Sequence, residues 1–301
     1  MAAKVYLTGA SGRLGQIVLQ KTGAVPVVRR QSGLENEIVS DFSEEELSRI
    51  FADADAIIHL AGSRDFLDIE KAKRGNVELT EKVVSAAPEK ARIIFSSSIS
   101  VYGKKMSGIP ADESTSVHPD TAYAKTKLEA EGIVSGHKNH VILRIGPVYG
   151  EGFEEYFKVL RMIEKGKMKI IGKGDNRIPF VHAEDVAEAI ASALDRGSGT
   201  YVLVGECLSQ EEIFSVAADA LGVERPKGHV SAFLAKVFSH YQLFKKEHFG
   251  GKALFIPEDV AVLSSDRAFN CNKARRELGF SPRTLDKGIA EMVRSYRDRR
   301  G

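Results

Sequence analysis

The sequence predicts an α/β protein built on a doubly wound parallel sheet, and three observations carry that prediction. Short β-branched or apolar runs recur between longer helical patterns. They read as near-continuous apolar stretches rather than alternating ones, as strands buried on both faces do. The first of them passes directly into a glycine-rich turn that opens a helix.

The expected strands are 4–8, 25–29, 37–40, 55–60, 91–97 and 140–145, with a helix over 44–51 among the right-handed crossovers that join them. After about Gly150 the rhythm breaks. Helical patterns at 154–165, 184–195 and 210–221 mix with short strands at 169–171 and 200–204. This divides a main domain, 1–150, from a smaller α/β lobe, 151–301, that closes over the open end of the sheet. A segment such as 200–204 is placed to return to the main sheet. There are no internal repeats or low-complexity tracts.

A charged fraction of 28% and a hydrophobic fraction of 43% over 301 residues are those of a folded globular chain. The 43 basic and 41 acidic residues are well mixed, so the net charge of +2 creates no general field for nucleic acid or an anionic membrane. Any basic site must be local. Cys207 and Cys271 stand far apart without histidines at metal-ligand spacing, which fits a reducing compartment and no metal. No charged leader and no run of the ~18 apolar residues that a span needs are seen, so the expected location is the cytoplasm.

The first strand ends in Thr8-Gly9-Ala10-Ser11-Gly12-Arg13-Leu14-Gly15. Glycines there let the chain turn tightly and let a pyrophosphate approach the amides at the positive end of a helix, the chemistry of a dinucleotide site. Strand two ends at Arg29-Arg30, where an acidic residue usually accepts the ribose hydroxyls of NAD. Guanidinium groups suit a 2′-phosphate instead, so NADP is favoured and NAD remains the alternative. Arg13 is placed to assist. Asp41-Phe42, after strand three, is placed to meet the adenine, or Asp41 to cap the next helix.

Ser98 lies in Phe95-Ser96-Ser97-Ser98-Ile99-Ser100-Val101-Tyr102-Gly103, after a buried strand; Tyr123-Ala124-Lys125-Thr126-Lys127 follows a proline-containing loop. On a helix, Tyr123 and Lys127 share one face. A free phenol titrates near ~10, and lowering it by about three units takes roughly 4 kcal/mol of preferential phenolate stabilisation. One ammonium at ~4 Å and an effective dielectric near 20 supplies about that. The expectation is therefore that Lys127 tunes Tyr123 to move a proton while Ser98 holds the substrate oxygen.

With these motifs the chain resembles the extended short-chain dehydrogenase/reductase family, which includes the NAD-dependent epimerase/dehydratases. The likeness extends through His59-Leu60-Ala61-Gly62, Asn76-Val77, the segment from Leu143 to Gly150, the segment from Phe180 to Ala187 and the segment from Lys273 to Phe280. It implies a Rossmann fold, Ser98, Tyr123 and Lys127 as the catalytic set, Leu60, Ala61, Gly62, Asn76, Tyr123 and Lys127 at the cofactor, and Asn76 supporting the active-site loop and the lysine. It also suggests a homodimer. His59 reads as a satisfied core histidine, and His182 and Asp185 as groups that fix a loop and cap a helix.

Ile99 and Ser100 stand where sugar dehydratases resemble one another in an acidic pair, which speaks against dehydration. The Ser-Ser-Ser-x-x-Val-Tyr-Gly pattern is similar to nucleotide-sugar epimerases, with Ser98 and Ser100 as substrate contacts. Pro147 stands where those enzymes usually offer an asparagine, and it has neither a side-chain amide nor an N–H. Gly174-Asp175-Asn176-Arg177 resembles the flavanonol reductase and 3β-hydroxysteroid dehydrogenase branch, with Arg177 either holding a substrate phosphate or sitting on the surface. The first expectation is interconversion of a secondary alcohol and a ketone on a sugar or nucleotide-sugar. The alternatives are a ketone reductase of the 3β-hydroxysteroid or flavanonol kind and a non-catalytic NADP-binding scaffold or sensor. Residues 229–249, rich in Phe, Leu, Ala, Lys and His, read as lobe packing, an apolar lid or an interfacial helix.

Overall fold

The computed structural model describes residues 3–65, 68–106, 108–250 and 257–299. Within them, the strands β1 (Val5–Thr8), β2 (Val25–Val28), β3 (Ile38–Val39), β4 (Ala56–His59), β5 (Arg92–Ser98) and β6 (His140–Ile145) form one parallel sheet, and a seventh strand, Gly199–Leu203, joins its outer edge. The spatial order runs from Gly199–Leu203 through β6, β5, β4, β1 and β2 to β3, so the chain winds outward in both directions from the β1/β4 junction. This is the doubly wound arrangement that the apolar runs predict.

Alternation along each strand explains the two buried faces. Val5, Leu7 and Ile58 point into one layer of the core; Tyr6, Val27 and Ile57 enter the other, beneath the helices Glu44–Ile50 and Leu79–Ala86. Ile93, Phe95 and Ile142 meet Ala130 and Val134 of helix Ala122–Ser135 on that second side.

Gly199–Leu203 pairs with β6 along its length, Gly199 opposite Val141 and Leu203 opposite Ile145. Residues between Val181 and Val204, and again between Phe269 and Phe280, are buried in the core of the main sheet. A separate core, built from Leu160, Ile170, Phe214, Leu221, Ile289 and Tyr296, unites the helices Phe157–Glu164, Gln210–Leu221 and Leu285–Asp298. Thus the smaller lobe is assembled from stretches on both sides of the returning strand. Register brings Thr8, His59, Ser98 and Ile145 to the same end of the sheet, facing that lobe.

Candidate active site

A cleft of about 1020 Å³ opens at this end, reaching from the glycine turn to the core of the smaller lobe. Gly9 has φ +78°, and a β-carbon on it would lie 2.6 Å from the Ala61 amide nitrogen, so the turn requires a residue without a side chain. Helix Arg13–Thr22 starts at Gly12 with no side-chain cap and no acidic residue in its first turn. Its N-terminus therefore presents unneutralised positive dipole to the cleft, which suits a pyrophosphate. Gly9, Gly12, Arg13, Leu14, Gly15, Leu60 and Gly62 line that end. Ser11 is exposed on the turn and Ala61 half-buried beneath it.

Arg29 and Arg30 are both exposed at the end of β2, outside the walls of the cleft, with the Arg29 guanidinium 5.5 Å from the Phe42 ring centroid. Phe42 is buried at φ +62°, and Asp41 accepts from the Ser43 amide at 2.6 Å. Capping of the following helix falls to Ser43 rather than Asp41. Arg13 is engaged across the cleft, paired with Glu155 and 4.8 Å from the Phe153 ring.

Ser98 ends β5 and its hydroxyl accepts from the Ser100 amide at 3.1 Å. Thr121 caps helix Ala122–Ser135 by accepting from the Ala124 amide, which starts the helix one residue before Tyr123 and sets Lys127 one turn on. Ser98, Ser100, Tyr123 and Lys127 all line the cleft. Tyr123 is half-buried and hydrogen-bonded to Ser98; burial pushes its phenol up, while the field of Arg64 and the Ser98 bond oppose the rise. The sequence reading placed this tuning on Lys127, and the structure brings in Arg64, an exposed residue of the loop after β4 that no local pattern marks.

The Lys127 ammonium is buried 4.4 Å from the Phe95 ring centroid, and burial drives its pKa down to about 8 against the pull of Glu131. Gly62 leaves room for the neighbouring Asn76, since a β-carbon there would lie 2.7 Å from the Asn76 Oδ1 but in ordinary contact, at 3.7 Å, with the Lys127 Nζ. Asn76 sits in a single wide turn, Arg74–Glu78, and its side chain bonds both the N–H and the C=O of Ser63. It thus fixes the loop that carries Arg64. Behind Lys127, the Glu131 carboxylate takes three bonds from the Arg144 guanidinium and one from the Ser97 hydroxyl. Spacing of four from Lys127 would have flagged Glu131, because it continues the same helix face.

His59 is not available for chemistry. Thr80 donates its hydroxyl proton to the Asn76 carbonyl, so it must accept from His59 Nε2, and Nδ1 then accepts from Thr8. Burial holds this imidazole neutral, down to about 3. His182 caps helix Ala183–Ser192, and Asp185 accepts from the backbone and guanidinium of Arg283. Arg177 lies outside the cleft walls, locked against Asp266 by bonds of 2.8 and 2.9 Å. Arg267 lines the cleft beside Arg13 and Arg64, buried and donating to the Ile99 carbonyl at 3.0 Å. Toward the smaller lobe hydrocarbon predominates, with Leu160, Ile163, Ile178, Phe214, Ile289 and Met292, while Tyr149, Tyr156 and Lys158 add polar atoms to the same walls.

The profile of the NAD dependent epimerase/dehydratase family matches residues 5–205. Among curated relatives, a 3beta-hydroxysteroid-dehydrogenase/decarboxylase isoform 2 of Arabidopsis thaliana is 26% identical over 88% of this chain, and the chain spans only 53% of that protein. A second Arabidopsis isoform is spanned to 63%. The decarboxylating sterol-4-alpha-carboxylate 3-dehydrogenase of Bos taurus is 25% identical over 98% of this chain and 93% of its own length. Among solved structures, gox2253 superposes with a TM-score of 0.77 at 25% identity over 98% of both chains. The UDP-N-acetylglucosamine 4-epimerase from Bacillus cereus gives 0.76 at 23%, over 100% of this chain and 97% of its own, a likeness of fold.

Proposed function

The chain belongs to the NAD dependent epimerase/dehydratase family, and from that premise we propose that it interconverts a secondary alcohol and a ketone on a predominantly apolar substrate, with NADP preferred. The carrying observation is the composition of the cleft beyond Ser98 and Tyr123, where Leu160, Ile163, Ile178, Phe214, Ile289 and Met292 predominate in the walls. A nucleoside diphosphate needs cations and donors along its length. Arg177, the sequence candidate for that task, is committed to Asp266. The sterol dehydrogenases among the relatives point the same way, and the sugar reading becomes secondary.

A dinucleotide held against the glycine turn supplies the hydride acceptor or donor. The residues of the chain handle the proton. Ser98 holds the substrate oxygen within reach of the Tyr123 hydroxyl, which takes the proton as an alcohol is oxidised and returns it as a ketone is reduced. Lys127 supplies positive charge behind the phenol, and Arg64 adds to it at the cleft rim. Arg29 and Arg30 stand ready for a 2′-phosphate at the end of β2.

Following NADPH consumption over steroid-like and aromatic ketones and over UDP-4-ketosugars tests this directly. Turnover of the apolar ketones is expected. Turnover confined to the nucleotide-sugars, or a purified protein carrying tightly bound NAD and epimerising them, would overturn it.

A further inference from the structure

We propose that the outward face of helix Ala232–Phe249 seats the protein on an anionic lipid surface. Phe233, Leu234, Val237, Phe238, Tyr241 and Phe244 are each at least 48% exposed. At 3.6 residues per turn these positions fall within one arc of about 140°. The opposite side carries Ser239, fully buried, with Ala235 and Leu243 half-buried, and packs on helix Pro257–Leu263. The helix is therefore apolar on both sides: one is spent on the protein, and six large side chains remain on the other. A patch of that kind marks an interaction site.

Charge selects the occupant. Lys236, His240 and Lys245 are exposed along or beside the arc, and the 18 residues hold three lysines and two histidines against one glutamate. In a two-fold contact with a second copy, this patch would face a copy of itself and gather these cations with a single glutamate of the helix to offset them on each side. An anionic bilayer offers both complements at once: acyl chains and interfacial carbonyls for the aromatic side chains, phosphates for the lysines. No helix among the described residues is long and apolar enough to cross a membrane, so this one lies in the plane of the surface.

Position supports the assignment. Helix Pro257–Leu263, on which this helix packs, puts Val262 and Leu263 into the wall of the cleft. The lipid-facing surface is thus one helix away from the apolar half of the site.

The test is co-sedimentation of the full chain with vesicles of phosphatidylcholine alone and of phosphatidylcholine with phosphatidylglycerol, with neither substrate nor cofactor present. Sedimentation with the anionic vesicles, released at high salt, is expected. The variant Phe233→Ser/Val237→Ser/Phe244→Ser should lose at least ~10-fold in partitioning, and Lys236→Gln/Lys245→Gln on the order of 10-fold at low salt, with melting temperatures unchanged because the side chains are exposed. No binding to either vesicle, or equal binding by the serine variant, overturns the proposal. So does a dimer that the serine variant splits without any vesicle binding, which would name a second copy as the occupant. Because the readout needs no turnover, its failure leaves the substrate reading untouched, and failure of the substrate reading leaves the vesicle result standing.

Discussion

The side-chain amide of Asn76 donates to the Thr126 hydroxyl at 3.0 Å, and Thr126 donates in turn to the Tyr123 carbonyl at 3.0 Å. With its two bonds to Ser63, Asn76 ties the loop after β4 to the first turn of the helix that carries Tyr123 and Lys127. Asn76→Ala should lower kcat about 10-fold while the dissociation constant for the dinucleotide stays near that of the parent, as for a positioning residue. Equal losses in both would place Asn76 on the cofactor instead.

Arg64 works on Tyr123 through space. Its positive charge favours the phenolate, so removing it must raise the phenol's pKa. In Arg64→Met, the rise of kcat/KM with pH for alcohol oxidation is expected to move to higher pH. An unshifted profile would leave the guanidinium without a part in proton transfer.

Lys127 titrates at about 8 in the fold, below its ordinary value of 10.5. Below pH 8 both folded and unfolded chains are protonated, and folding bears the whole cost of burying the ammonium; above 10.5 neither carries the charge, and the cost is gone. Replacing the lysine with methionine should therefore raise the melting temperature by several degrees at pH 7, with the gain shrinking as pH rises from 8 through 10.5. Scanning calorimetry of the two proteins across that range measures it, and a gain constant with pH would contradict the assignment.

Glu131 and Arg144 form a pair buried at 5% and 8% exposure. Glu131→Ala strands the guanidinium in the core and should cost ~3–5 kcal/mol in urea unfolding. The double variant Glu131→Leu/Arg144→Leu removes both charges and should recover most of that loss. A double variant that loses the sum of the two single variants' losses would show that the two sites contribute independently.

The proposed preference for NADP rests on the exposed pair at the end of β2. Arg29→Asp/Arg30→Asp should weaken NADPH by roughly 10–100-fold and leave NADH nearly unchanged, the scale of one or two charge-assisted bonds to a 2′-phosphate. Fluorescence titration with each dinucleotide decides it, and unaltered NADPH affinity would remove these residues from the site.

What the sequence made legible follows from how local each signal is. The glycine turn, the buried strands and the Tyr123/Lys127 spacing are written within a few residues, and the fold bears out the doubly wound sheet. The return of 200–204 to the main sheet is legible too and is borne out by its pairing with β6, whereas the partner of Arg177 is 89 residues further along. Such contacts leave no periodic trace. Arg64 belongs to the same class, since a solvent-accessible arginine two residues after Gly62 acquires meaning only when the fold brings Tyr123 beside it. The exposed side of 232–249 escaped assignment for a different reason: with both sides of the helix apolar, its pattern does not separate core from solvent.

The strand that comes back from the smaller lobe has a practical bearing on how the protein can be cut. It supplies every backbone partner along the outer side of His140–Ile145. A fragment stopped at residue 150 would leave that strand, whose last five residues are buried, with a bare row of amide and carbonyl groups. Such a piece should self-associate edge to edge instead of behaving as a free-standing nucleotide module. The two cores are one folding unit in that sense, and shortening the chain from its far end strips Leu285–Asp298 from the smaller lobe's core before it reaches the returning strand.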